Sequence, residues 1–451
     1  MIYVKGKLYP SSRQDEILSG LEAYINRVRA TKTLPRETVI RALSSLGDRI
    51  ERGDFDAKIA ALAAGDSADR YQQTAREALR RENIELRVSR ELGAGAGSVP
   101  PGKGIRTELR PLGTLFHIAA GNMDGLPALS AAEGLITGNF NILKLPQADS
   151  GLTVEILSEL CRAEPEIADF VAVFDTPSSD VDAMRRLAAM ADGIVLWGGE
   201  EATAAVRALA PVGAKLIEWG HRHGFCYIAA DFAKVLTTPP AAFLDELRAL
   251  AGHIAVTEQL LCSSCQVIYL DSPRREDAEA FGKLFLPLLE EAVSRHPPTE
   301  IGAVAAASVR ARMARMESAL RRIGKTDDPR APAAPSDPAY RTRLEGRGCS
   351  VTVCGDSSLE LSPLYAGVLV KRLPRKHLLP TLRQGGSKGT LQTAGLICPP
   401  GERAELADLL IRSGVSRVTS AGHMSETFPG EAHDGEYPLR RYVRAADVEE
   451  V

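Results

Sequence analysis

The chain has 451 residues, enough for two or three domains at about 150 residues each. Hydrophobic residues make up 44% and charged residues 25%, a globular composition whose core needs no disulfide or zinc staple. Lys plus Arg number 55 against 58 for Asp plus Glu, a net charge of −3, so the basic footprint of a nucleic-acid binder is missing.

No apolar run reaches the ~18 residues of a transmembrane helix. The first ten residues, MIYVKGKLYP, lack the apolar core of a secretion signal. The seven cysteines, an odd number, predict mostly unbridged thiols and a reducing, cytoplasmic setting.

Residues 12–92 read as helical, with apolar positions at helical spacing over 17–28 and Pro35 placed to open a second helix. GAGAGSVPPGKG, 93–104, is a Gly/Pro linker. Part of it imitates a phosphate-binding loop. Position 104 is Gly, however, where that motif needs Ser or Thr for a metal, and no strand precedes it.

From Leu112 the texture changes. LGTLFHIAAGN predicts a strand entering a Gly turn, LSAAEGLITG a helix, FNILKLP a strand and SGLTVEILSELCRA a helix. DFVAVFD, GIVLWGG and AKLIEW continue as strands, separated by the helical DVDAMRRLAAMA and EEATAAVRALA. Strands alternating with helices of ten-odd residues predict a mostly parallel α/β sheet covered on both faces, with at least five β units over 112–232.

A break follows at 237–240. A helix is expected over 241–255, then the strand QVIYLD and helices over 276–294 and 303–323. The Pro-rich stretch 327–338 predicts an exposed loop. A second α/β region contains CSVTVCG, YAGVLVKRL and a helix near 404–414.

Cys262 lies between a predicted helix and a predicted strand, in Thr-Glu-Gln-Leu-Leu-Cys-Ser-Ser-Cys-Gln. A thiol at such a junction can face a cleft, with backbone N–H groups lowering its pKa and binding an oxyanion. Cys262 and Cys265 also have redox-pair spacing, but a thioredoxin-like motif opens a helix and this one precedes a strand. No second CxxC stands at zinc-ribbon spacing, and His221 and His223 lack a third ligand. No metal is predicted. Two buried structural cysteines are the plain alternative.

Five further features recur in order. They are Ala120-Gly121-Asn122 with Gly138-Asn139 and Lys144-x-Pro146; Trp197-Gly198-Gly199-Glu200-Glu201; Glu218-Trp219-Gly220; Cys262-Ser263-Ser264; and Pro429-Gly430 with His433-Asp434-Gly435 and Pro438-Leu439. Together, over roughly 105–445, they resemble the aldehyde dehydrogenase superfamily. The likeness is greatest to its acyl-CoA reductase branch, the LuxC-type fatty acyl-CoA reductases.

The resemblance implies an aldehyde-dehydrogenase-like α/β fold. It divides the chain into a helical N-terminal region and linker (1–104), a Rossmann-like cofactor domain (105–236), a catalytic domain carrying the cysteine (237–420) and a tail (421–451) that can make an oligomer contact. It implies an oxidoreductase that reduces an acyl thioester to an aldehyde with NADPH. In that reading Cys262 is the nucleophile, Asn122 the oxyanion donor and Glu218 the position of a general base.

Lys144 matches the lysine on the adenosine ribose, and Gln147 stands where NAD-preferring members often carry Glu. An acid there repels a 2′-phosphate, whereas a neutral amide beside a lysine tolerates it, so NADPH is expected. Gly198 and Gly199 close a strand and open a helix, a place where backbone N–H groups can meet a pyrophosphate. Glu360 is a candidate for the carboxylate on the nicotinamide ribose. Expected partners are an acyl-CoA or acyl-protein donor, an acyl-protein synthetase, and further copies in a homodimer or homotetramer. Two rival readings stand beside this one: an NAD(P)-dependent aldehyde dehydrogenase working toward the acid, and a non-catalytic subunit that keeps the fold.

Overall fold

The computed structural model describes residues 1–62, 66–93, 104–119, 125–147, 149–233, 236–298, 302, 309, 313, 340–384 and 389–449. The predicted helix over 303–323 lies outside these residues except at 309 and 313, and the predicted loop over 327–338 lies wholly outside them. The chain forms two compact units, 1–221 with 428–451, and 222–427.

The first unit holds β1 (Ile2–Val4), β2 (Lys7–Tyr9), β3 (Ile105–Pro111), β4 (Thr114–Ile118), β5 (Phe140–Lys144), β6 (Val171–Phe174), β7 (Gly193–Trp197) and β8 (Lys215–Trp219). Seven of these make one sheet, in the order β2-β1-β6-β5-β4-β7-β8. β4 to β8 pair in parallel, and β1 runs antiparallel to β6. Every residue of β5 and β6 is buried, which is why β6, VAVF, reads as an unbroken apolar run rather than an alternating one.

The helix Gln14–Thr31 buries the stripe Leu18, Leu21, Ile25 and Val28. This stripe shares one hydrophobic cluster with β5 and β6, so the N-terminal helices complete the same core as the sheet. The β1–β2 hairpin is absent from the sequence-based expectation. It turns on Lys5 and Gly6, both left-handed at φ 56° and 71°. A primed two-residue turn demands that conformation, but Lys-Gly is not the Asn-Gly that usually signals it.

The second unit holds β9 (His223–Ile228), β10 (Cys265–Leu270), β11 (Arg341–Glu345), β12 (Ser350–Cys354), β13 (Gly367–Arg372), β14 (Leu391–Ile397) and β15 (Arg417–Thr419). Their order is β11-β12-β13-β10-β9-β14-β15, parallel except for the antiparallel pair β11–β12. Successive residues alternate between two cores. Cys226, Ile228 and Ile268 face one cluster; Phe225, Tyr227, Val267 and Tyr269 face the other. Because β9 belongs to this sheet, the second unit begins ahead of the break at 237–240.

The chain then returns to the first unit, where β16 (Val443–Glu449) pairs antiparallel with β3 as a two-stranded ribbon. Among the described residues no helix is long and apolar enough to cross a membrane. None of their His, Cys, Asp and Glu gather in threes to hold a metal.

Candidate active site

The helix Ala241–Thr257 stops where Glu258 and Gln259 turn left-handed, at φ 49° and 62°. Neither is glycine, so each carries a steric cost that the surroundings must offset. The backbone N–H of Tyr365 donates to the Glu258 carbonyl at 3.0 Å. The next five residues, 260–264, form the loop that carries Cys262 into β10. Inside it Ser264 N–H donates to the Leu261 carbonyl at 2.9 Å, and Leu261 N–H donates to Ser264 Oγ at 3.1 Å. Ser263 and Ser425 share a hydroxyl–hydroxyl bond of 2.8 Å.

Of the seven cysteines, Cys262 alone is exposed. Desolvation pushes the other six thiols up, those of Cys265, Cys349 and Cys354 to about 12. Cys265 is fully buried on β10, and its Sγ donates to the Val267 carbonyl at 3.5 Å. It faces the core, and its burial runs against the redox-pair reading of Cys262 and Cys265.

In the first unit the candidates stand at the carboxyl ends of parallel strands, the edge where open α/β sheets bind ligands. Lys144 ends β5 and is only 6% exposed. Its Nζ donates to Ser178 Oγ at 2.9 Å, and among the described residues no carboxylate pairs with it. Desolvation lowers its pKa. A buried ammonium whose hydrogen-bond partner among the described residues is a neutral hydroxyl fits an anionic ligand group. Gln147 is exposed in the turn after β5. Asn122 lies outside the described residues.

Gly198 and Gly199 follow β7 and lead into the helix Glu200–Leu209. Their lack of a side chain has a packing cause. A Cβ on Gly199 would stand 2.9 Å from Cδ2 of His221, and one on Gly198 would stand 3.1 Å from Cβ of Ala202. Gly198 N–H donates to the Trp219 carbonyl at 3.2 Å. Trp197 and Trp219 stack at 5.5 Å, and the His433 ring from the tail lies 5.7 and 5.1 Å from them.

Glu218 sits near the end of β8, with both oxygens held by Arg207: Nε and Nη2 each donate at 2.7 Å. This partner comes from the helix Glu200–Leu209. Glu360 Oε1 accepts from Lys371 Nζ and from Arg341 Nη2, the latter at 3.1 Å.

Sequence reasoning also passes over His117, fully buried on β4. Its Nδ1 lies 2.7 Å from Ser130 Oγ and its Nε2 3.0 Å from Asn141 Oδ1. Trp197 Nε1 donates to the same Ser130 hydroxyl at 3.1 Å. Burial lowers the imidazole pKa from 6.5 to about 4, against a smaller upward pull from Asn141. The unfolded chain therefore takes the proton first. The stabilisation is complete above pH 6.5 and is lost as pH falls toward 4. At ~1.4 kcal/mol per unit, denaturant melts across that window are expected to show about 3 kcal/mol lost through this residue. His117→Gln is expected to flatten that part of the curve.

Against known proteins, the model of the acyl-CoA reductase (LuxC) family matches residues 32–445. A long-chain acyl-protein thioester reductase of Aliivibrio fischeri is 23% identical over 340 residues, which are 74% of this chain and 64% of that protein. The match thus spans just under two thirds of the relative's length.

Solved structures share the fold. A methylmalonate-semialdehyde dehydrogenase of Oceanimonas doudoroffii superposes with a TM-score of 0.67 at 14% identity, covering 99% of this chain and 97% of that one. A glyceraldehyde-3-phosphate dehydrogenase of Methanocaldococcus jannaschii, complexed with NADP, gives 0.64 at 14% identity over 98% and 95%. An NAD-dependent benzaldehyde dehydrogenase of Corynebacterium glutamicum gives 0.63 at 15% identity over 98% and 91%. The chain belongs to the LuxC acyl-CoA reductase family and has an aldehyde-dehydrogenase-like α/β fold.

Proposed function

We propose that this protein reduces an acyl thioester to an aldehyde with NADPH, through an acyl group carried on Cys262. The observation that carries the reading is the exposure of Cys262 on a pinned loop while six other thiols are buried or half-buried and held protonated. The Cys262 thiolate attacks the thioester carbonyl, the donor leaves as a thiolate that takes up the proton Cys262 gave up on ionising, and one thioester replaces another at little cost. A nicotinamide cofactor, when bound, would supply hydride to the enzyme thioester, and Cys262 would be released as the thiolate with the aldehyde. Each step passes through an oxyanion, for which the family resemblance assigns the Asn122 amide.

The rival reading, oxidation of an aldehyde to the acid, needs Glu218 as a base for water. The bidentate ion pair with Arg207 engages both of its oxygens, which supports a positioning part for Glu218 and a site that keeps the acyl-enzyme from hydrolysis. The donor is acyl-CoA or an acyl-protein; the activity named for the Aliivibrio fischeri relative favours the protein-bound form. A synthetase would then be the acyl-loading partner, and the working assembly a homodimer or homotetramer.

Lys144 and the neutral Gln147 three residues on support NADPH over NADH. Gln147→Glu is expected to weaken binding of 2′,5′-ADP roughly tenfold or more while leaving 5′-AMP nearly unchanged, because a carboxylate would face the 2′-phosphate. Titration calorimetry on the two nucleotides checks this without turnover.

The deciding experiment is intact-protein mass spectrometry after mixing with a panel of acyl-CoAs, with and without NADPH. A Cys262-dependent adduct that NADPH discharges as aldehyde supports the reading. Loss of the adduct as free acid without NADPH would move the protein to the hydrolytic class. If no acyl-CoA gives an adduct, the same test with a synthetase-loaded acyl-protein decides between a protein donor and a wrong nucleophile.

A further inference from the structure

We infer that Gln259 and Gln266 form a reciprocal clamp that sets the position of Cys262, and that both are positioning residues for its chemistry. This rests on Cys262 being the nucleophile. The two glutamines flank the loop, one just ahead of it and one at the second position of β10. Gln259 Nε2 donates to the Cys265 carbonyl at 2.8 Å, and Gln266 Nε2 donates to the Gln259 carbonyl at 2.8 Å. Each side chain thus crosses the mouth of the loop to the backbone beside the other. The crossing fixes the ends of 260–264 whatever the loop itself does.

The clamp is buried and braced. Gln259 is 1% exposed and Gln266 3%, where low dielectric strengthens each bond. Gln266 Oε1 accepts from both N–H and Oγ of Ser362, at 3.2 and 2.8 Å. Ser362 opens the turn in which Leu364, Tyr365 and Ala366 are all left-handed, at φ 68°, 49° and 59°. Tyr365 closes back on Glu258, as described above. Two strained turns therefore meet through one amide, with the thiol loop between the strand and the first of them.

Gln259 Oε1 is buried and has no partner among the described residues. The left-handed Glu258, Gln259, Leu364, Tyr365 and Ala366 on either side of the clamp are backbone strain held in place by its surroundings, which clusters where a geometry is being enforced.

The test uses the full-length protein and the near-isosteric variants Gln259→Met, Gln266→Met and the pair. Tyr227→Phe serves as control; it removes a buried hydrogen bond to the Leu373 carbonyl in the same unit, away from the loop. Three quantities are read: melting temperature, the rate of Cys262 alkylation by iodoacetamide against pH, and the rate of acyl-adduct formation.

The control should lose a few degrees of melting temperature and keep both rates. Each clamp variant should shift the pH profile of alkylation and slow acylation by ~10²-fold, the scale of a 1 Å misplacement. The double variant should be little worse than either single one, because the two bonds act as a unit. Gln266→Glu keeps the acceptor toward Ser362 but not the donor toward Gln259, so it should not restore the rate.

Clamp variants that alkylate and acylate within twofold of the unmutated protein would overturn the clamp and leave the Cys262 reading standing. A Cys262→Ala protein that still accepts the acyl group would remove both.

Discussion

Replacing Cys262 with alanine is expected to abolish the acyl adduct and to lower aldehyde formation by roughly 10⁴–10⁶-fold, the scale on which enzymes lose rate with their nucleophile. No other thiol can stand in. Cys161, Cys226, Cys265, Cys349 and Cys354 are buried, and Cys398 is half-buried. Desolvation holds all six above the ordinary thiol range. A raised thiol pKa means less thiolate at any working pH, and the thiolate is the reactive form. Iodoacetamide at pH 7–9 should therefore label a single site, lost in Cys262→Ala. Peptide mapping that finds Cys398 labelled as fast as Cys262 would remove the selectivity on which the assignment rests. The variant should melt close to the unmutated protein, because an exposed side chain contributes little to the core.

Much of this architecture was legible in the residues. β5 and β7 read as buried strands because both faces of a parallel sheet are covered, leaving FNILK and GIVLW with hardly a surface position. Cys262 was legible as a junction residue between a helix and a strand. The hardware that holds it was not. Gln259 and Gln266 act through side-chain bonds to backbone carbonyls, which leave no periodicity and no motif. The ion pair of Glu218 went to Arg207, eleven positions back on a helix. Side-chain partners across elements depend on packing, which local sequence does not encode. The N-terminal hairpin escaped for a related reason. Three-residue strands carry too little pattern to be seen alone, and the pairing of Tyr3 and Val4 with β6 is a long-range event.

Gly224→Ala is expected to cost about 1–3 kcal/mol of stability and roughly 10²-fold in acyl transfer, although residue 224 carries no functional group. It is the second residue of β9, paired with Cys265 across the sheet. A Cβ there would lie 2.6 Å from the carbonyl oxygen of Ser263, 2.7 Å from that of Ser264 and 2.8 Å from the Ser263 carbonyl carbon. Cβ atoms do not approach backbone closer than about 3 Å, so 263 and 264 must retreat and take the neighbouring Cys262 with them. The requirement is one of space, not of backbone conformation. A suitable control is Gly252→Ala, in the helix that leads to the same loop, where an added Cβ meets nothing within 4 Å. Alanine there should hold or raise stability by about 0.5–1 kcal/mol through helix propensity and leave acylation unchanged. Denaturant melts with single-turnover acylation separate the two effects. If Gly224→Ala melts low yet acylates at the original rate, the strain is absorbed elsewhere and the β9 backbone is no part of how Cys262 is aimed.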